Sequence, residues 1–217
     1  DSLQKKDRFE TFPAFSPDGR TLYFCSAEAK KIPEEYKEIR YNLCSIDFDP
    51  STGTFGSRID TLVNAEALGK SVSFPRPSYD GKYIMFTLSD YGNFSIWHKE
   101  ADLWLLDLTS GDLRKLSEVN SDDTESFHNW SSNSRWFVFS SRRGDGLYTR
   151  LYLASMDENG KISKPFLLPQ EDPETYYDRS VYSYNVPDFT SEPIKIDTRV
   201  FEKKITSKER IQVQAKK

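Results

Sequence analysis

One strand–turn–strand unit occurs three times in this chain and limits what it can fold into. The first copy runs Phe12-Pro13-Ala14-Phe15-Ser16-Pro17-Asp18-Gly19-Arg20-Thr21-Leu22-Tyr23-Phe24. Pro17 presets φ for a tight turn, Asp18 can bond its own backbone, and Gly19 tolerates positive φ. The frame returns from Phe74 through Asp80-Gly81 to Phe86, and again, worn, from Phe127 through Asn133-Ser134 to Phe139. Asp18, Asp80 and Asn133 share a column, as do Phe24, Phe86 and Phe139. Self-similarity at a spacing of this order marks a solenoid, a propeller or an array.

Each copy carries a further matching strand, over residues 41–47, 101–107 and 149–155, which ends in a turn at Gly53, Gly111 or Gly160. A weaker fourth strand follows over 58–63, 113–116 and 165–168. Four short antiparallel strands per unit, separated by turn signals, describe a propeller blade. The predicted architecture is all-β: three four-stranded blades over 8–64, 70–118 and 123–169 within a region 1–170, then an extension over 171–217.

Ser-Pro-Asp-Gly-Arg after an apolar strand, followed by an aromatic-rich strand and by Leu103-Trp104-Leu105-Leu106-Asp107-Leu108, resembles the TolB-like β-propeller repeat. Blade one matches best, blade two has Tyr79 where the repeat has Pro, and blade three has lost both Pro and Gly. The resemblance covers residues 12–168 and implies part of a six- or seven-bladed ring, here its C-terminal half. It also implies the periplasm or outer-membrane side of a Gram-negative envelope, and a channel mouth that accepts an extended peptide. Function follows less directly, because a propeller hosts many activities.

Composition narrows the classes. The net charge of −4, with both signs interspersed, gives no nucleic-acid footprint. No apolar run approaches the ~18 residues of a membrane helix. The chain begins at Asp1 without an initiator Met or a signal peptide, which reads as a processed or truncated chain. Cys25 and Cys44 fall on neighbouring strands of blade one, so a bridge and two buried thiols are both open.

Three blades do not make a ring, since propellers close with about four to eight. Uncovered blade faces are aggregation hazards, so a partner is expected: the remaining propeller half or a second copy.

Strand order separates two rims. One holds the tight turns. The other holds the long insertions 27–40, 89–100 and 142–149. Insertion 27–40 is charged, with Pro33 placed to open a short helix. Insertion 89–100 puts Tyr91, Phe94, Ile96 and Trp97 in a loop, where binding residues concentrate. Burial within the blade is the competing expectation for all four, and the favoured one for Phe94 and Ile96. The candidate loop-rim residues are Tyr91, Trp97, His98, Arg142, Arg143 and Tyr148. The innermost strands begin near Glu10, Val72 and Glu125, which makes Arg8, Glu10, Arg76, Glu125 and His128 the polar candidates for the channel mouth.

Beyond the blades, Ile194, Ile196, Thr198 and Val200 alternate with charged residues, as do Ile211 and Val213 with glutamines, predicting one or two edge strands. Catalytic motifs fail one by one. There is no Gly-x-Ser-x-Gly elbow, no phosphate-cradling glycine loop and no zinc-spaced Cys/His set. His98 and His128 are the only histidines, Glu125 and His128 are spaced for opposite strand faces, and Asp122-Asp123 reads as a solvated acidic loop. The expectation is a non-catalytic protein- or peptide-binding module with no metal and no cofactor. The alternative is the propeller portion of an enzyme, either the gating domain of a serine peptidase or a sugar lyase with its site in the channel.

Overall fold

The computed structural model describes residues 3, 5–92, 94–172 and 175–210. Blade one comprises β1 (Arg8–Phe15), β2 (Thr21–Glu28), β3 (Asn42–Asp49) and β4 (Thr54–Val63). Blade two comprises β5 (Ser71–Pro77), β6 (Tyr83–Ser89), β7 (Asp102–Asp107) and β8 (Leu113–Lys115). Blade three comprises β9 (Glu125–Trp130), β10 (Trp136–Ser141), β11 (Arg150–Ser155) and β12 (Phe166–Leu167). Every neighbouring pair within a blade is antiparallel and in chain order. The three sheets form an open fan, not a closed ring.

The recurring turn works the same way in each blade. Ser16 Oγ donates to Asp18 Oδ1 at 2.6 Å and accepts the amide of Thr21 at 2.9 Å. Ser78 with Asp80 and Tyr83, and Ser131 with Asn133 and Trp136, repeat both bonds. Gly19 and Gly81 take φ of 68° and 71°, and Ser134 takes 58° where the third copy lacks Gly. A non-glycine residue is strained there. Ser134 is held in place by accepting the Asp80 amide at 2.9 Å, which ties the turns of blades two and three together.

Phe24, Phe86 and Phe139 are equivalent in space as in sequence. Each is buried on the second strand of its blade, opposite Cys44, Trp104 and Tyr152 respectively. One apolar core, with Tyr23, Leu43, Ile84 and Phe86, joins blades one and two. Another, with Met85, Leu105, Trp130 and Phe139, joins blades two and three. A smaller cluster of Leu22, Phe24, Cys44 and Ile46 lies on the other face of blade one, with Leu3 and Ile59 against it.

Each innermost strand is broken by a register shift, and the residue displaced is a phenylalanine at positive φ: Phe12 at 53°, Phe74 at 54° and Phe127 at 41°. These rings touch in series, tilted by 55° and 41°, with centroids 4.4 Å apart for Phe12–Phe74 and 4.5 Å for Phe74–Phe127. The bulge turns the side chain out of the alternating pattern and toward the adjacent blade.

One open alternative is decided and one expectation is corrected. Cys25 and Cys44 are free thiols. Cys25 pairs with Leu43 and Phe24 with Cys44, so the two sulfurs project from opposite sheet faces, and burial raises both thiol pKa values. The alternating segment 194–200 forms no strand. Residues 193–197 are irregular and Arg199–Thr206 is a helix. A period-2 pattern needs a sheet edge to bond its backbone, and no strand of the fan pairs with this segment among the described residues. The strand expected at Ile211 and Val213 lies outside the described residues.

Part of the extension does dock. The short helix α1 (Tyr176–Arg179) and the chain after it lie on blade three. Tyr184 N donates to Thr149 O at 3.1 Å, Ser140 Oγ donates to Asn185 O at 2.8 Å, and Asn129 Nδ2 donates to Asp188 Oδ1 at 2.8 Å. The buried Arg150 organises this strap, donating to Tyr182 O at 2.9 Å and Ser180 O at 3.2 Å, with its guanidinium over the rings of Tyr148 and Tyr177.

Candidate functional site

The loop between β6 and β7 is pinned before it is presented. Phe94, at φ 51°, leads into a 3-10 turn over Ser95–Trp97. Ser95 is buried at the seam between blades two and three. Its Oγ lies 2.9 Å from Ser126 Oγ, and its carbonyl accepts Thr124 Oγ1 at 3.0 Å. Three residues per turn set Ser95 and Ile96 inward and leave Phe94 and Trp97 facing out, at 76% and 69% exposure. Ile96 thus meets the burial expectation and Phe94 does not.

The loop after β10 meets this turn from blade three. Asp145 Oδ1 accepts the amides of Leu147 and Tyr148, both at 2.8 Å, and Arg142 Nη2 donates to Leu147 O at 3.0 Å. The guanidinium of Arg142 stands 4.6 Å above the ring of Trp97. Leu147, 68% exposed, lies alongside. A small cleft of about 80 Å³ opens between them, lined by Ile96, Trp97, Arg142 and Leu147 and, from the docked strap, Ser183 and Asn185.

The other loop-rim candidates are placed differently. Tyr91 is half-buried, with its ring 4.2 Å from that of His98 and edge-on to Tyr36 of the first insertion at 5.8 Å. That first insertion holds only a 3-10 turn at Tyr36–Glu38 where a short helix was expected. Gly92 makes the crossing possible: a Cβ there would lie 2.6 Å from the Tyr41 ring. His98 is buried, its Nδ1 3.2 Å from Glu100 Oε1 but out of hydrogen-bond alignment. Tyr148 is half-buried under Arg150. Arg143 turns inward. It donates to Glu125 Oε1 at 2.9 Å, to Ser141 Oγ at 2.9 Å and to the Val119 carbonyl, and its plane covers the rings of Phe139 and Tyr152. Trp97 and Arg142 are brought together; Arg143 and His98 belong to the interior.

The channel-mouth candidates differ in burial and in their partners. Arg8 Nε donates to Ser26 Oγ at 2.8 Å, and Glu10 Oε1 is buried with no hydrogen-bond partner among the described residues. Arg76 is half-buried and its carbonyl accepts Trp130 Nε1 at 3.1 Å. Glu125 is fully buried. Burial pushes its carboxyl above the ordinary value against the pull of Ser121, Arg143 and Ser141. His128 is buried with Nε2 2.9 Å from Met85 O; burial, with the charge of Arg76, lowers its pKa to about 3. Its ring is therefore neutral at physiological pH.

Sequence reasoning missed Ser95, Leu147, Ser183 and Asn185. None sits in a motif, and the last two reach the cleft only because the strap folds back over blade three. Among the described residues, no group of three or more His, Cys, Asp or Glu is placed to hold a metal ion. The arrangement offers an exposed aromatic–aliphatic platform with one guanidinium across it, a surface suited to binding.

Three four-stranded antiparallel sheets built on one recurring unit make this chain a partial β-propeller. No family model matches it, and no curated protein does. Solved structures do. An oligogalacturonate lyase in complex with manganese is similar with a TM-score of 0.53 and 14% identity, over 77% of this chain and 44% of that one. A puromycin-hydrolysing peptidase of Mycobacterium tuberculosis is similar with a TM-score of 0.53 and 14% identity, over 76% of this chain and 24% of that one. TolB from Acinetobacter baumannii aligns with a TM-score of 0.44 and 20% identity, over 75% of this chain and 33% of that one. The chain spans less than half the length of each. At such identities the likeness is one of fold.

Proposed function

We propose that this chain is a non-catalytic binding module of the cell envelope, which holds a protein or peptide partner at its long-loop rim. The observation that carries the reading is the Trp97–Arg142 pair: a large ring left mostly in solvent, on a backbone pinned by Ser95, with a guanidinium stacked on it. Exposed aromatic and Arg anchors on rigid loops are the usual centres of binding energy at protein interfaces. The placement in the periplasm or at the outer membrane rests on the resemblance of the repeat to TolB-like proteins. No helix among the described residues is long and apolar enough to cross a membrane.

The partner set includes more propeller. Leu22, Phe24, Cys44 and Ile46 on blade one occupy the columns that in blades two and three pack on the preceding blade. The far side of blade three is instead strapped by the chain's own residues 176–188. Closure therefore proceeds from the blade-one side, by the rest of the propeller or a second copy.

Photo-crosslinking tests the rim. A photoreactive residue at Phe94 or Trp97 is expected to capture a protein in envelope extracts, while one at the exposed Tyr79 on the tight-turn rim captures none. Equal capture at both places would sink the assignment. The second reading, a propeller portion of an enzyme, has the lyase and peptidase folds in its favour. Turnover of oligogalacturonate or puromycin by the purified chain would establish it over the first.

A further inference from the structure

The end of the chain differs in charge from everything before it. Residues 195–217 hold eight Lys or Arg and three Asp or Glu, a net of +5; the whole chain is −4, which leaves −9 on residues 1–194. Within this basic segment lies α2 (Arg199–Thr206), preceded by the exposed Ile194 and Ile196. Phe201 and Ile205 stand one helical turn apart with Val200 beside them. All three face solvent, at 57%, 76% and 58% exposure. Arg199, Glu202, Lys203 and Thr206 take the opposite side, and Lys204 lies within the apolar arc with its ammonium drawn out to Glu209 Oε2 at 2.8 Å. An apolar stripe left in water beside cationic side chains is an unsatisfied amphipathic element.

We propose that α2, with the chain that leads into it from Ile194, is a docking element for an anionic lipid surface, lying in the plane of the interface with Phe201 and Ile205 inserted and Arg199, Lys203 and Lys204 at headgroup level. Charge complementarity selects the occupant: the positive segment is attracted to the surface while the acidic body is held off it. A groove on another protein is a poorer match. The helix has apolar side chains only at Val200, Phe201 and Ile205, with Lys204 at i+3 from Phe201, so it lacks the i, i+3, i+4, i+7 anchor series that grooves read. Ile194 and Ile196 lie on irregular chain, and fluid lipid adapts to such scattered apolar groups where a preformed groove does not. Lys204 keeps its charge at the water boundary by extending along its own alkyl stem.

Vesicle co-sedimentation of the full chain tests this, with phosphatidylglycerol–phosphatidylcholine vesicles as the probe and pure phosphatidylcholine vesicles as the control. The expected result is binding to the mixed vesicles only, weakened by salt, and reduced about tenfold or more in the double variant Phe201→Glu/Ile205→Glu. Both side chains are exposed, so the melting temperature of the variant stays at the parent value and confirms that folding is intact. Failure to bind the mixed vesicles at low salt overturns the proposal. So does binding that the double variant retains, which is adsorption by charge alone. Self-association abolished by the same substitutions, without vesicle binding, overturns it in favour of an interface between copies. Trp97→Ala leaves vesicle binding unchanged, which keeps this test independent of the rim.

Discussion

The ring of Phe12 lies on that of Phe74, centroids 4.4 Å apart, although each residue holds a positive φ that phenylalanine normally avoids. Phe127 extends the row of rings at the same repeat position. The strain recurs because its product is useful: three innermost strands gain side chains that bridge blade to blade. A double-mutant cycle on Phe12→Ala and Phe74→Ala should show a favourable coupling of about 1 kcal/mol in urea unfolding. A coupling near zero would mean that the bulges bring the rings together without their holding the blades together.

Arg150→Met keeps the side chain's bulk and removes its donors to Tyr182 O and Ser180 O. The expected outcome is release of the strap, with faster proteolysis within 180–189 and a loss of about 1–3 kcal/mol in stability. Blade three should otherwise survive, since its core packs toward blade two. Unchanged cleavage in the variant would show that Ser140 and Thr149 suffice.

His128 makes stability sensitive to acid. Its folded pKa of about 3 lies below the ordinary 6.5, so the folded state binds this proton later than the unfolded state does. Its contribution is fully present above pH 6.5 and is lost as pH falls toward 3, at up to about 1.4 kcal/mol per pH unit. Chemical denaturation at a series of pH values should show that slope, and His128→Gln should flatten it. The buried Glu125 runs the other way: its raised pKa means a contribution present below pH 4.5 and lost as pH rises through the folded value. The two windows overlap above pH 4.5, so His128→Gln, which removes one effect and leaves the other, is what separates them.

Trp97→Ala should cost about 2 kcal/mol or more of affinity for the protein captured at the rim. With the ring mostly in solvent, the same change should alter folding stability by no more than about 0.5 kcal/mol. Equal losses in both measurements would place Trp97 in the core's service.

Much of the fold was legible. Asp18, Asp80 and Asn133 announced three equivalent turns, and all three use the same Ser-to-Asx bond. Of the six loop-rim candidates, Trp97 and Arg142 line the cleft. Arg143 illustrates why the rest was not legible. It adjoins Arg142 in the chain, yet the next Cα points the other way, into a buried carboxylate that no local pattern connects to it. The alternating residues 194–200 mislead for a related reason. Period 2 records a preference for a sheet edge, and in this fold residues 176–188, not 194–200, pass along blade three.

What the amino-acid order determines by itself is local and repetitive: where strands begin and turn, which column is buried, and that the units come in threes. Those features follow from short-range sterics and side-chain period, which each copy expresses without the others. Tertiary structure alone decided which polar groups were consumed and which were left over. Arg143, Glu125, His128 and Arg150 are taken up in contacts between elements far apart in sequence, whereas Trp97, Arg142 and the apolar face of α2 remain in solvent. Burial belongs to the packed arrangement as a whole, because the cost of desolvating a charge or leaving a ring in water depends on neighbours that only the folded chain supplies.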